Sequence, residues 1–260
     1  MEERMQAIRR VCVAVDLERY SSRIAVEQHR AQHELREILD NLSADLGRER
    51  WLTQDQGDGE LALLPPGINE SHFVPTLVRS LGAALHRINR PLADDARLRM
   101  RVAIHEGLTL VAGKGFAGSA VVTVCRLRDA PPLRKALDDD PDALLALVVS
   151  QRIYEDVIVE HDLYDLPADV FRRVSVEIPQ KGFAAEAWIT VPCRRERRAG
   201  KGTDSPGRRD EPAPAENGSA PKQTEGGVVM HVGGDWHGRD VVGRDAYNLH
   251  DPGRWDGGGR

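Results

Sequence analysis

The feature that most constrains the fold is an apolar run near the start of the chain that ends in a carboxylate. Residues Val11–Val15 are all apolar, and Asp16 follows them directly. Such a run is typical of a buried strand, and it places an acidic side chain at the carboxyl-terminal edge of that strand. We therefore expect a sheet with helices packed against it, and a candidate site beside Asp16.

Strand and helix patterns then alternate as far as residue 193. Helical spacing of apolar residues predicts helices over residues 24–46, 73–88, 119–127 and 151–160. Ser21 and Ser22 are candidate N-caps of the first helix. Strand patterns occur at residues 11–15, 51–56, 60–64, 98–105, 108–112, 144–149, 172–178 and 184–191. This order predicts an α+β sandwich with one mixed sheet and with helices packed on one face.

Composition changes abruptly after Pro192. Residues 194–225 are rich in charged residues, Pro, Gly and Ser, which predicts a disordered linker because too little apolar surface is present to offset the ordering entropy. Residues 226–250 regain β-forming residues and repeat the triplet Gly-Arg-Asp at 238–240 and 243–245. We therefore divide the chain into a domain (1–193), a linker (194–225), a β-prone motif (226–250) and a disordered end (251–260).

Charge and cysteine content exclude several classes of function. The net charge is −5, and the acidic excess lies in residues 1–193, which argues against a general nucleic-acid surface. The longest apolar run, Ala143–Val149, is far shorter than the roughly 20 residues of a membrane span. Three widely spaced cysteines favour a reducing cytoplasm over a disulfide framework.

Asp16 and Asp58 form the strongest candidate pair for chemistry. Asp16 ends the first predicted strand, and Asp58 lies in the Gly-Asp-Gly turn of the first predicted hairpin. If the two strand ends are adjacent, both carboxylates meet, and a divalent cation would relieve their repulsion. The alternative is that Asp16 caps the next helix and Asp58 is an ordinary turn residue.

Four ordered segments together resemble the catalytic domain of class III nucleotide cyclases, the adenylate and guanylate cyclase family. They are VCVAVDLERYSS (11–22), QGDGELALLP (56–65), RVAIHEG (101–107) and GSAVVTVCRL (118–127). The resemblance covers about residues 9–193 and implies a ferredoxin-like sandwich of the nucleotide cyclase type. It also implies conversion of a nucleoside triphosphate to a 3′,5′-cyclic nucleotide and pyrophosphate by a homodimer with shared active sites.

Site residues follow from the same resemblance. Asp16, Asp58 and the carbonyl of Leu17 match the ligands of two Mg²⁺ or Mn²⁺ ions, and the amides of Tyr20, Ser21 and Ser22 match the phosphate-binding segment. Arg126 matches the arginine that the neighbouring subunit supplies to stabilise the transition state. A guanidinium suits this role because it stays charged and can bind two oxygens at once. Without the resemblance, Arg126 is an ordinary exposed helix arginine.

Several positions depart from the family pattern. Val122 replaces an asparagine that orients the ribose, and Arg19-Tyr20 replaces a Gly-Phe pair. One base-selecting position is Gln54, and the other aligns near Gly115, which has no side chain. Because the Gln54 amide has both a donor and an acceptor, it suits a pyrimidine edge, as in bacterial antiphage pyrimidine cyclases.

The segment 226–250 resembles the short amyloid-type signalling motifs of bacterial immune effectors, which pair with NLR-type sensor ATPases. Its β-forming residues and glycines suit in-register stacking, although a sticky tail without function is the alternative. We therefore expect a cytoplasmic cyclase that acts as a bacterial signalling or antiphage effector. The alternatives are an inactive cyclase-like module that binds nucleotide or a partner, and a scaffold governed by its tail.

Overall fold

A βαββαβ unit builds the first half of the sheet. The computed structural model describes residues 6–42, 46–113 and 115–192. The unit consists of β1 (Ile8–Leu17), α1 (Ala25–Asp40), β2 (Leu52–Asp55), β3 (Gly59–Leu63), α2 (Glu70–Asn89) and β4 (Met100–Ala112). Its strands are antiparallel in the order β2-β3-β1-β4, so β1 lies between the strand that follows Asp58 and the strand that begins at Met100.

The second half extends the sheet from β4 and adds three helices. Its elements are β5 (Gly115–Ala117), α3 (Ser119–Arg128), α4 (Pro131–Asp138), β6 (Leu145–Ser150), α5 (Gln151–Ile153, which continues as π-type turns through Tyr154–Val159), β7 (Arg172–Ile178) and β8 (Phe183–Thr190). Strand β6 is parallel to β4, whereas β8 and β7 continue antiparallel, and β5 pairs with β4. The predicted α+β class with a mixed sheet is therefore confirmed.

Helices cover both faces of the sheet, so the expectation of helices on one face is correct only for the βαββαβ unit. One core packs Val11, Val13 and Val15 against α1 and α2, and the other packs Cys12 and Ala14 against α3 and α4. The physical reason is the strand geometry, because successive side chains of an all-apolar strand point to opposite faces and both faces need cover.

Local predictions were wrong in three places, and one helix was missed. The first helix, expected over 24–46, ends at Asp40. Residues 108–112 continue β4 instead of forming a separate strand, and their hairpin partner is β5. Helix α4, which begins at Pro131, was not predicted at all. Ser21 and Ser22 do not cap α1, which follows Ile24 without a side-chain cap; instead, the Ser22 hydroxyl donates to the Arg19 carbonyl at 2.8 Å.

The described helices include none that is long and apolar enough to cross a membrane. The predicted linker (194–225), the β-prone motif (226–250) and the disordered end (251–260) lie outside the described residues. Those three predictions therefore stay predictions.

Candidate active site

The pairing of β1 with β3 brings the two candidate aspartates to one edge of the sheet. Asp16 lies opposite Gly59 in the register, and the Leu17 amide donates to the Asp58 carbonyl at 2.9 Å. Asp58 thus immediately precedes Gly59, the residue of β3 that pairs with Asp16. Asp16 and Asp58 line the same cleft.

Gly59 makes this close approach possible. A Cβ atom placed on Gly59 would lie 2.2 Å from the Val15 carbonyl oxygen and 3.2 Å from the Asp16 Cα. Both are backbone atoms of β1, so they cannot turn aside as the end of a long side chain can. The Gly-Asp-Gly turn therefore does more than reverse the chain, because its second glycine lets β3 lie against β1 beside Asp16.

The cleft has a volume of about 500 Å³ and is lined by eleven of the described residues. They are Asp16, Leu17, Glu18, Arg19, Tyr20, Ser21, Asp58, Arg101, Asp129, Arg134 and Asp138. Five of the predicted site residues are in this group. Ser22 is not in it: its amide donates to the Arg19 carbonyl at 3.3 Å, so that amide is already bonded within the turn Tyr20–Ser22.

Asp16 is the most buried acid of the cleft, with 6 % of its surface exposed. Burial raises the pKa of its carboxyl group, the Arg101 guanidinium lowers that pKa, and the nearby Asp58 carboxylate raises it again. The balance is upward. Arg101, which faces Asp16 in the β1–β4 register, donates to Asp16 Oδ2 and so supplies one buried positive charge to the site.

The donor set suits a hard divalent cation. Carboxylate and carbonyl oxygens are the ligands that Mg²⁺ takes from proteins, commonly one or two carboxylates with the rest supplied by substrate phosphates and water. Asp16 and Asp58 provide that number, and the upward effect of Asp58 on the pKa of Asp16 shows that the two carboxylates repel each other. Within the described ranges no group of three or more His, Cys, Asp or Glu side chains is placed to hold a metal by itself.

A second acidic pair, Glu18 and Asp138, lines the same cleft. Burial, followed by a side-chain hydrogen bond with Asp138, raises the pKa of Glu18. Arg99 opposes this effect, with its Nη1 atom 3.1 Å from Glu18 Oε2. Arg99 also donates to the carbonyl groups of Ala143 and Asp140, at 2.7 Å each, and so ties the segment after α4 to the start of β4.

Arg126 does not belong to the cleft of its own chain. It lies on α3 with its guanidinium carbon 4.9 Å from the centre of the Phe183 ring. Arg128, two residues later, donates to Gln56 Oε1 and contributes a favourable charge toward Asp16. The structure therefore separates the predicted arginine from the predicted aspartates within one chain.

The predicted base-reading positions, Gln54 and Gly115, lie together. A Cβ atom placed on Gly115 would be 2.5 Å from the Gln54 Oε1 atom, and Gly115 has a φ of 116°. The side chain of Gln54 thus occupies the space that a side chain at position 115 would need. Val122, the residue at the ribose-orienting position, is 44 % exposed on α3.

Sequence reasoning missed Arg101, Glu18, Asp129, Arg134 and Asp138. Arg101 gave no distinct signal, because it occupies a polar position of the alternating strand 98–105. Its position beside Asp16 depends on the strand order, which places β4 beside β1. The acidic and basic residues of α4 had no signal, since that helix was itself missed.

Solved structures with a similar fold are nucleotide cyclases. A guanylyl cyclase, Cya2, superposes with a TM-score of 0.50 at 14 % identity and covers 74 % of this chain and 97 % of its own. An adenylate/guanylate cyclase/hydrolase from Silicibacter pomeroyi gives a TM-score of 0.51 at 19 % identity, over 72 % of this chain and 99 % of its own.

A bacterial light-regulated adenylyl cyclase gives a TM-score of 0.51 at 11 % identity, over 72 % of this chain and 53 % of its own. Neither a protein-family model nor a curated protein matches the sequence. At these identities the comparisons show that the fold is that of the adenylyl and guanylyl cyclase domain.

Proposed function

We propose that the chain is a cytoplasmic, two-metal nucleotide cyclase that converts a nucleoside triphosphate to a 3′,5′-cyclic nucleotide and pyrophosphate. One observation carries the proposal: on a cyclase-type fold, the β1–β3 pairing directs the carboxylates of Asp16 and Asp58 into a single cleft. The same cleft is lined by Tyr20 and Ser21 and is large enough for the phosphate end of a nucleotide.

The proposed reaction is an intramolecular phosphoryl transfer. The ribose 3′-oxygen forms a bond to the α-phosphorus, and the bond from the α-phosphorus to the bridging oxygen breaks. Pyrophosphate leaves with that bonding pair, and the 3′-hydroxyl proton passes to water. Asp16, Asp58 and the Leu17 carbonyl would hold two Mg²⁺ or Mn²⁺ ions, which acidify the hydroxyl and neutralise the phosphates when bound.

The residues around Asp16 position the substrate and its acid ligands. The Arg101 guanidinium fixes one oxygen of Asp16 and leaves the rest of that carboxylate to face the cleft. The turn Tyr20–Ser22 begins three residues after the end of β1, and Tyr20 and Ser21 line the cleft there. We assign these residues to the triphosphate; Ser22 supports the turn through its bonds to Arg19.

Arg126 is assigned to the α-phosphate of the site in a second copy of the chain. Its position beside Phe183, away from the cleft of its own chain, supports a shared site in a homodimer. A guanidinium at the reacting phosphate stabilises charge that develops in the transition state, a contribution commonly worth a factor of ~10³–10⁵ in rate.

We propose that Gln54 reads the base and that the base is a pyrimidine. Gly115 has no side chain and lies against Gln54, so only the Gln54 amide can select the base at these two positions. That amide has one donor end and one acceptor end.

Incubation of the purified protein with each of the four triphosphates and Mn²⁺, followed by chromatography of the products, tests the proposal. We expect a cyclic pyrimidine nucleotide and pyrophosphate, and no product from the Asp16→Ala variant. Cyclic purine products alone would reject the choice of base. Four intact triphosphates after overnight incubation would reject the enzyme.

A second candidate is a cyclase-like module that binds nucleotide or a partner without turnover. The observation that favours it is Val122, an exposed apolar residue that cannot hydrogen-bond to the ribose. In that case the protein would bind a triphosphate only in the presence of divalent ions and leave it intact. Equilibrium dialysis with and without Mg²⁺, alongside the product assay, separates the two candidates.

We also propose that residues 226–250 recruit the domain to an NLR-type sensor ATPase in an antiphage pathway. The β-forming residues and the Gly-Arg-Asp repeat of the sequence support this proposal. A synthetic 226–250 peptide should form fibres that bind thioflavin T. A neighbouring gene that encodes such an ATPase with a similar segment would support the pathway, and a peptide that stays monomeric would contradict it.

A further inference from the structure

Arg19 holds a backbone conformation that arginine seldom adopts. Its φ and ψ angles are 55° and 26°, in the left-handed region, immediately before the turn Tyr20–Ser22. Among the described residues the only other non-glycine with a positive φ is Asp162, at 42°. Glycine adopts this region freely, whereas L side chains are disfavoured there. Such outliers are concentrated at functional sites, so Arg19 is a candidate functional residue.

Arg19 lines the cleft beside Tyr20 and Ser21, and its side chain is 71 % exposed. Its nearest acidic contacts are Glu18 at 3.8 Å and Asp138 at 3.9 Å, both beyond hydrogen-bond distance. By contrast, Arg23 donates to the Arg97 carbonyl at 2.7 Å and serves the packing of the chain.

The charges that line the cleft indicate that the Arg19 guanidinium can bind an anionic ligand. Five carboxylates line the cleft against three guanidinium groups, and one of the three, Arg101, is buried against Asp16. The cations left to meet an incoming anion are Arg19 and Arg134. An arginine binds phosphate oxygens with two parallel N–H donors, and such charge-assisted bonds are among the strongest in proteins.

We propose that Arg19 binds the polyphosphate chain of the substrate at the mouth of the cleft and so increases the affinity for the triphosphate. This inference rests on the proposed function for the identity of the ligand as a nucleotide. The polyphosphate would replace the two long contacts to Glu18 and Asp138 by direct bonds. The disfavoured left-handed backbone is the conformational cost of an arginine, instead of a glycine, at this position of the cleft.

The sharpest test replaces Arg19 by the residue that its backbone prefers. In Arg19→Gly the charge is lost while the left-handed conformation becomes favourable, so a loss of binding cannot be ascribed to a weakened fold. Asp162→Gly is the matched control, because it makes the same backbone change at an exposed turn that does not line the cleft. Arg19→Ala removes the charge and keeps the disfavoured backbone, and Arg19→Lys keeps the charge without the paired donors.

Calorimetry of inorganic tripolyphosphate binding to the full chain in Mg²⁺ gives the primary readout, with KM and kcat as the second. We expect Arg19→Gly and Arg19→Ala to raise Kd and KM about tenfold, the loss of one charge-assisted contact, with kcat within about twofold. Arg19→Lys should fall between them and the wild type. The thermal midpoint of Arg19→Gly should be no lower than that of the wild type, and Asp162→Gly should bind as the wild type does.

Tripolyphosphate binding by Arg19→Gly within twofold of the wild type would overturn the inference, as would an equal loss in Asp162→Gly. If Arg19→Gly proves unstable, Arg19→Ala and Arg19→Lys decide by the same criterion. Because this binding is measured without turnover, the two proposals fail separately. Suppose that the wild type makes no cyclic product and that replacement of Arg19 still weakens tripolyphosphate binding. That result would reject the cyclase and keep the proposed contact between Arg19 and phosphate.

Discussion

Replacement of Gly59 by alanine should separate the two acidic residues of the cleft without removing either of them. The added methyl group would lie 2.2 Å from the Val15 carbonyl oxygen, far inside van der Waals contact, and 3.2 Å from the Asp16 Cα. Both atoms belong to the backbone of β1, so β3 must move away or the strand end must bend. The first bond to be lost is the one from the Leu17 amide to the Asp58 carbonyl, now 2.9 Å long.

The expected cost combines two terms. Overpacking of a buried site destabilises by about 1–3 kcal/mol, and the loss of a backbone hydrogen bond adds about 1 kcal/mol, which together give about 2–4 kcal/mol. For a domain of this size that corresponds to a fall in the thermal midpoint of about 4–16 °C. Because a shift of about 1 Å in catalytic geometry costs up to ~10²-fold in rate, turnover should fall by about that factor even well below the midpoint.

Urea unfolding and the product assay, both on Gly59→Ala, measure these effects. The matched control is Gly82→Ala in α2, where an added Cβ meets nothing within 4 Å. That substitution should stabilise the domain by about 0.5–1 kcal/mol, since glycine is unfavourable in a helix interior. A Gly59→Ala variant as stable and as active as the wild type would refute the argument that β1 and β3 must touch at this point.

Two further predictions concern buried titratable groups. Burial lowers the pKa of His105; the nearby Glu106 opposes that shift, and Arg152 and Arg9 add to it. The folded chain therefore binds fewer protons there than the unfolded chain, so its stability should fall as the pH drops below about 6.5. This fall should be shallower in His105→Gln, and parallel pH–stability curves for the two proteins would contradict it. Burial raises the pKa of the Cys12 thiol to about 12, and its side chain has no exposed surface. Cys12 should therefore resist iodoacetamide at pH 8 in the folded protein and react after unfolding, as peptide mass spectrometry would show; labelling of the native protein at the rate of a free thiol would contradict this.

The meeting of Asp16 with Asp58 was predictable because both strands carry their own signals. Val11–Val15 marks a buried strand, and Gly-Asp-Gly marks a tight turn whose second strand pairs close by. The tight turn joins β2 to β3, whereas α1 and β2 separate β1 from β3 in the chain, so the register that sets Asp16 opposite Gly59 is not fixed by that turn. The sequence also could not supply the neighbour on the other side of β1.

That neighbour is β4, and it brings Arg101 to Asp16. The two residues are far apart in the chain, so their pairing depends on the strand order β3-β1-β4, which local patterns do not encode. Helix α4 was missed for a different reason. It spans only eight residues and begins with Pro131 and Pro132. A pair of prolines usually indicates a break in regular structure, although proline is well tolerated in the first turn of a helix.

The sequence of β1 explains why helices cover both faces of the sheet. An all-apolar strand, unlike an alternating one, already implies cover on both faces, and Cys12 and Ala14 are indeed buried under α3 while Val13 and Val15 are buried under α1 and α2. The first two helices do share one face of the sheet, whereas α3 and α4 cover the other.

The most direct test of the account mixes two inactive variants. Asp58→Asn removes a carboxylate from the cleft, and Arg126→Ala removes the guanidinium assigned to the cleft of the other copy. If the site is shared, a heterodimer of the two variants contains one intact site, and equimolar mixing should restore about one quarter of wild-type turnover for a two-fold symmetric dimer. Cyclic product at that level, absent from either variant alone, is the predicted result. A mixture as inactive as its components, made from variants that fold and dimerise, would contradict the account.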